Sequence, residues 1–238
     1  MPRKASVPHD RLIVALLANR MKEAEAMVKL LKDDVRIFEI GIPTFTALGP
    51  DVVTMVHRHH SRVLLDLKYH DIPSTVAAAV TNAAELGVDM MTVHAVGGFE
   101  MLGRAADTMK SRAKTRATTP KLIAVTVLTS MESLGDIGVQ FEVRDQVVRL
   151  AKMAKKAGFD GVVASPLEVR PVRVACGEKF LIVTTGIRPL GTAIQDQRRV
   201  SSPTMAMAAG ADYLVVGRPV VESRNPKAVV QSIIREIS

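Results

Sequence analysis

The chain has 238 residues, 47% of them apolar and 24% charged, a balance that excludes disorder for the bulk of it and suits a packed core. Its one cysteine, Cys176, excludes a disulfide scaffold and a cysteine-rich zinc module, and no apolar run reaches the roughly 18 residues that span a bilayer. The net charge of +8 suits anionic partners, but two tyrosines and no tryptophan leave few stacking platforms for single-stranded nucleic acid. The charge is read as solubility plus a local phosphate site, with neither nucleic acid nor a membrane as partner. The start, Met1-Pro2-Arg3-Lys4, lacks the apolar stretch of a secretory signal, so a cytoplasmic location is expected.

Short β-branched apolar runs alternate with longer amphipathic stretches from end to end. The pattern predicts strands over 12–17, 37–42, 62–66, 90–94, 122–128, 161–164, 180–184 and 213–216. Helices are predicted between and after them, over 22–31, 49–57, 75–86, 98–109, 143–157, 167–175, 203–209 and 226–237. Runs such as Leu12-Ile13-Val14-Ala15-Leu16-Leu17 do not alternate with polar residues, and unbroken apolar strands belong in a parallel sheet covered by helices on both faces. Units of about 30 residues, closed by right-handed crossovers, fit one (β/α)8 barrel over residues 1–238. An open doubly wound sheet is disfavoured because no Gly-x-Gly-x-x-Gly follows the first strand. Three helix-to-strand joints repeat one pattern: Leu86-Gly87-Val88-Asp89, Ala157-Gly158-Phe159-Asp160 and Ala209-Gly210-Ala211-Asp212. Glycine there can close a helix in the left-handed conformation without steric cost.

Chemistry in such a barrel sits on the loops that follow the strands. After the third strand the chain reads Asp66-Leu67-Lys68-Tyr69-His70-Asp71-Ile72-Pro73-Ser74-Thr75. On an extended segment Asp66 and Lys68 point the same way, and Asp71 adds a second carboxylate. Three charges at a strand end need water, one another or a ligand.

The string Asp-x-Lys-x-x-Asp-Ile-Pro-x-Thr resembles the signature of the orotidine 5'-phosphate decarboxylase family. The resemblance extends to Val93-His94-Ala95-Val96-Gly97-Gly98, to residues 124–131, to Thr185-Gly186-Ile187-Arg188-Pro189, to Asp196-Gln197-x-Arg199 and to residues 212–219. It implies a barrel that dimerises with active sites at the interface, and a decarboxylation that needs no metal or organic cofactor. Lys68 would protonate the carbanion left at C6 of the pyrimidine, and Asp66 would lie against the substrate carboxylate and hold Lys68 charged. Asp71 would reach the partner subunit's site and, with Thr75, bind the ribose. Thr129 would contact the base, Gln197 would bridge base and phosphate, and Arg188 with Gly217 and Arg218 would grip the phosphate. A nucleotide monophosphate is the implied substrate. The chemistry is coherent: a fixed ammonium in a water-poor site stabilises the carbanion and supplies its proton, while the remote phosphate provides binding energy to oppose the carboxylate repulsion.

Two positions depart from the family pattern. The first strand of the family ends Ala-Leu-Asp, with the aspartate on the ribose, whereas here it reads Ala15-Leu16-Leu17; losing that acceptor costs roughly 1.5–3 kcal/mol of binding. The second strand presents a lysine in the family but Glu39 here, giving Glu39, Asp66 and Asp71 to one Lys68. Like charges about 4 Å apart repel by roughly 4 kcal/mol at an effective dielectric near 20, so one carboxylate is expected to hold a proton, recruit a cation or swing away. Glu39-Ile40-Gly41-Ile42-Pro43 is also similar to a string in the sister 3-keto-L-gulonate 6-phosphate decarboxylases and hexulose-6-phosphate synthases. That likeness implies an alternative, a magnesium-dependent sugar-phosphate reaction using Glu39 and Asp66. A third reading is a catalytically degenerate barrel that still binds a nucleotide phosphate.

Overall fold

The computed structural model describes residues 8–112, 119–189 and 199–238. Eight parallel strands close in sequence order into one barrel: β1 (Leu12–Leu16), β2 (Ile37–Gly41), β3 (Arg62–Tyr69), β4 (Met90–His94), β5 (Lys121–Val125), β6 (Gly161–Ala164), β7 (Leu181–Thr184) and β8 (Tyr213–Val216). The helices are α1 (Met21–Leu31), α2 (Ile42–Leu48), α3 (Asp51–Arg58), α4 (Pro73–Glu85), α5 (Gly98–Arg112), α6 (Val143–Ala157), α7 (Val169–Cys176), α8 (Pro203–Ala208), α9 (Arg218–Val221) and α10 (Pro226–Glu236). The expected α/β barrel is the observed one. α2 and α9 were not anticipated, since seven and four residues are too few to set up a helical period. The strand expected over 122–128 stops at Val125, beyond which the Thr126 hydroxyl donates to the Val163 carbonyl at 2.7 Å.

Alternation along each strand divides the apolar residues between two cores. Ile13, Ala15, Ile37, Leu64, Met90, Ile123, Val183 and Val215 fill the barrel interior. Leu12, Val14, Leu16, Phe38, Ile40, Val63, Leu65, Met91 and their neighbours face outward under the helices. Strands buried on both faces need apolar side chains of both parities, which is why the runs show no alternation.

Gly87, Gly158 and Gly210 at the repeated joints all take positive φ, at 79°, 96° and 107°. The aspartate of each joint has a role as well. Its carboxylate accepts the N–H of a residue on the preceding strand: Val63 for Asp89 at 2.9 Å, Leu122 for Asp160 at 3.0 Å and Ile182 for Asp212 at 2.8 Å. Each joint thus ends a helix and fastens the neighbouring strand, leaving the opposite rim of the barrel for chemistry.

Candidate active site

The inward parity that buries Ile13, Ile37, Leu64 and Val215 continues toward the carboxyl ends of the strands as Leu17, Glu39, Asp66 and Gly217. Together with Lys68, Thr129, Ser130, Thr185, Gly186, Arg188 and Arg218, they line a cavity of about 340 Å³ at the barrel mouth. One sector of its wall is the acid–ammonium cluster from β2 and β3. Another carries the glycine–arginine loops after β7 and β8.

The Lys68 ammonium is ion-paired with Asp66 Oδ2. Simple alternation is not what brings them together. The register of β3 against β4 shifts between Leu65 and Tyr69, and Lys68 has φ 51°, a left-handed conformation that costs a side-chain-bearing residue about 1–3 kcal/mol. Buried Thr92 stabilises this bend. Its hydroxyl donates to Asp66 Oδ1 at 2.8 Å and accepts the Lys68 backbone N–H at 2.9 Å. Sequence reasoning passed over Thr92, although one hydroxyl between the apolar Met91 and Val93 of β4 was the available signal.

Glu39 lies between Ala15 on β1 and Leu64 on β3 in the strand register, both apolar, and keeps only its cavity side open. Burial first, then the neighbouring Asp66 charge and its hydrogen bond, hold the Glu39 carboxyl well above the usual carboxylate range, against an opposing pull from Lys68. Of the carboxylates expected to repel, Glu39 is the one whose hold on a proton the site strengthens, and Asp71 stands outside the cavity. Glu39 and Asp66 are two oxygen donors on one wall; among the described residues no group of three or more His, Cys, Asp and Glu side chains is placed to hold a metal ion. Beside the cluster, His94 sits with its ring centroid 5.8 Å from that of His70. Burial, followed by the nearby charges of His70 and Lys68, brings the His94 pKa down to about 4, so its ring is neutral at physiological pH.

Asp71 and Thr75 stand outside the cavity of their own chain. Both are exposed at the start of α4, where Asp71 Oδ1 accepts the Ile72 N–H at 2.7 Å. Thr129, Arg188, Gly217 and Arg218 are brought to the cavity wall, and Gln197 lies outside the described residues. Gly186 takes φ 77°, and the loop it begins is tied down by Arg188 N–H to the Ser201 carbonyl at 2.9 Å and Ser201 N–H to the Gly186 carbonyl at 3.3 Å. Leu17, 51% exposed, overhangs the mouth, with Cδ1 3.9 Å from where a Cβ on Gly217 would stand.

Residues 10–233 match the orotidine 5'-phosphate decarboxylase / HUMPS family. The chain belongs to that family. It is 45% identical over 229 residues to the orotidine 5'-phosphate decarboxylase of Geotalea daltonii, covering 95% of each chain. With the enzyme of that name from Haemophilus influenzae it shares 48% over 226 residues, covering 94% of this chain and 97% of the relative. The crystal structure of orotidine 5'-phosphate decarboxylase from Lactobacillus acidophilus superposes with a TM-score of 0.83 at 36% identity, covering 96% of this chain and all of that one. This member of the orotidine 5'-phosphate decarboxylase / HUMPS family has the Asp66–Lys68 pair and both arginine-bearing loops on one cavity. It places an apolar Leu17 and Glu39, whose pKa burial raises, on the same wall.

Among the described residues, no helix is long and apolar enough to cross a membrane.

Proposed function

We propose that the chain decarboxylates orotidine 5'-monophosphate to UMP and carbon dioxide without a metal, with Lys68 as the proton donor to C6. The observation that carries this reading is the Lys68–Asp66 ion pair in a cavity whose wall also bears Arg188 and Arg218. A vinyl carbanion forms only where positive charge is already fixed nearby, because a site that need not reorganise stabilises the transition state more than the ground state. The pair supplies that charge, and the bend at Lys68 and the Thr92 hydrogen bonds hold it in place. Asp66 serves as the carboxylate set against the substrate's own. Arg188 and Arg218 bind the phosphate, with Gly186 and Gly217 admitting it close to the backbone. Thr129 contacts the base, and Gln197 bridges base and phosphate.

Asp71 and Thr75 act in the site of a second copy. Their exposure outside their own cavity supports a homodimer in which each subunit completes the other. One barrel domain over residues 1–238 is the unit of that dimer, and the enzyme works in the cytoplasm. Leu17 and Glu39 weaken it: one removes a polar contact to the sugar, the other replaces a cation beside Asp66 with a neutral acid. The family description spans both pyrimidine and sugar-phosphate enzymes, but relatives at 45% and 48% identity over nearly the full length are named orotidine 5'-phosphate decarboxylase. The magnesium-dependent sugar-phosphate reading is accordingly disfavoured.

The test is loss of orotidine monophosphate absorbance, measured once with EDTA and once with magnesium. Equal turnover in both is expected. Turnover that requires magnesium would overturn the metal-free reading, and absence of turnover with retained UMP binding would replace it with a nucleotide-binding barrel.

A further inference from the structure

Arg199 and Glu168 form a buried ion pair beside the cavity that the chemistry above does not use. Arg199 is 7% exposed and Glu168 4%, and Arg199 Nη1 stands 2.8 Å from Glu168 Oε1. Glu168 sits on a turn after β6 (Pro166–Glu168), fixed by its N–H to the Ser165 carbonyl at 3.1 Å and by the Ser165 hydroxyl accepting the Leu167 N–H at 3.2 Å. Arg199 reaches across to the loop after β5. There its Nη2 donates to the carbonyls of Val127 at 3.2 Å and Leu128 at 2.9 Å.

Those two carbonyls lie beyond the end of β5 at Val125, where the strand ladder no longer supplies donors, and the carbonyl of buried Val127 needs one. The residues that follow them, Thr129 and Ser130, form part of the cavity wall. Arg199 itself is two residues before Ser201, which bridges to Ile187 and exchanges hydrogen bonds with Gly186 and Arg188 in the loop after β7. One side chain therefore joins three loops: Glu168 after β6, the Thr129 wall after β5 and the Arg188 loop after β7. Nη2 of the planar guanidinium holds the two carbonyls while Nη1 lies in ion-pair contact with Glu168, a division of roles that a lysine ammonium, with one nitrogen, cannot reproduce. A buried ion pair is poor evidence for stability by itself, since apolar residues of similar size often do as well. Geometry is the better account of its presence.

We propose that Arg199, seated by Glu168, is a positioning residue that holds the Thr129 wall in register with the phosphate-binding loop at residues 186–188. This rests on the nucleotide reading above, in which phosphate and base occupy those two places at once. A misplacement of about 1 Å between such groups can cost on the order of 100-fold in rate.

The experiment uses Arg199→Met combined with Glu168→Leu, which removes both charges together and leaves neither buried alone. Arg199→Lys is the second variant: it keeps the charge beside Glu168 but loses the fork. Circular dichroism confirms that each is folded, and calorimetry measures affinity for UMP and for inorganic phosphate. The expected result in either folded variant is at least a tenfold loss of UMP affinity with phosphate affinity within twofold of the wild type. Equal losses for both ligands would show general damage, and no loss for either would show an idle pair; both overturn the proposal. Failure of the wild type itself to bind UMP would instead overturn the nucleotide reading, and the proposal with it.

Discussion

Glu39→Gln tests the electrostatics of the site because the variant has nearly the same shape and cannot ionise. In the folded chain, burial and Asp66 keep the Glu39 carboxyl protonated well above the usual carboxylate range. In the unfolded chain it ionises near about 4.3, as any glutamate does. Above that pH the folded state binds a proton that the unfolded state has released, so stability falls as pH rises. The contribution is fully present below the unfolded pKa. It is lost progressively until the folded carboxyl ionises too, after which the curve is level. Between those limits the slope is about 1.4 kcal/mol per pH unit for one proton. For a chain of about 150–250 residues, 1 kcal/mol moves the thermal midpoint by about 2–4 °C, giving about 3–6 °C per pH unit. The assay is the thermal midpoint of wild type and variant in matched buffers from pH 5 to 8, where the titrations of groups distant from Glu39 cancel in the difference. The variant's advantage should widen as pH rises above the ordinary carboxylate range. A difference that stays constant across the range would mean that Glu39 ionises normally, and the account of the cluster would fail.

Lys68→Ala should abolish decarboxylation while leaving UMP affinity within about tenfold, since the phosphate grip is untouched; turnover that survives the substitution would remove Lys68 as the proton donor. Leu17→Asp combined with Glu39→Lys restores the family pattern and should raise kcat/KM by about 10-fold or more, taking about 1.5–3 kcal/mol for the regained hydrogen bond alone. An unchanged rate would refute the view that these two residues weaken the site. Thr92→Val removes the donor to Asp66 and the acceptor for the Lys68 N–H, and should lower stability by about 1–3 kcal/mol and kcat more than KM. Denaturant melts and steady-state kinetics check both parts. Gly161→Ala would set a Cβ against the backbone carbonyl of Leu181 in the neighbouring strand, and should cost about 1–3 kcal/mol in the same melts.

The alternation of strands and helices, the parallel sheet and the glycine joints were legible in the chain because each is a local property. Apolar runs without alternation report burial on both faces, and a glycine at a helix end reports a backbone angle that few other residues adopt. Local spacing likewise singled out Asp66 and Lys68 as charges at one strand end, and the loops bearing Arg188 and Arg218 could be placed by their order among the strands. The structure departs where the partner is distant in sequence. Asp89, Asp160 and Asp212 looked like joint residues, but their carboxylates hold strands 26, 38 and 30 positions away. Thr92 was invisible as a site residue because its value lies in two contacts 24 and 26 residues off. Lys68 meets Asp66 through a left-handed bend that strand periodicity does not contain, and Asp71, only three residues after Lys68, stands exposed outside the cavity at the start of α4. Charge counting showed that one carboxylate should hold a proton, recruit a cation or swing away, whereas only the structure put Asp71 outside the cavity and set Glu39 between Ala15 and Leu64, where its carboxyl is held well above the usual range. Periodicity and composition act over a few residues and determine which elements form. Desolvation and hydrogen bonding act across the closed barrel and determine what those elements do to one another.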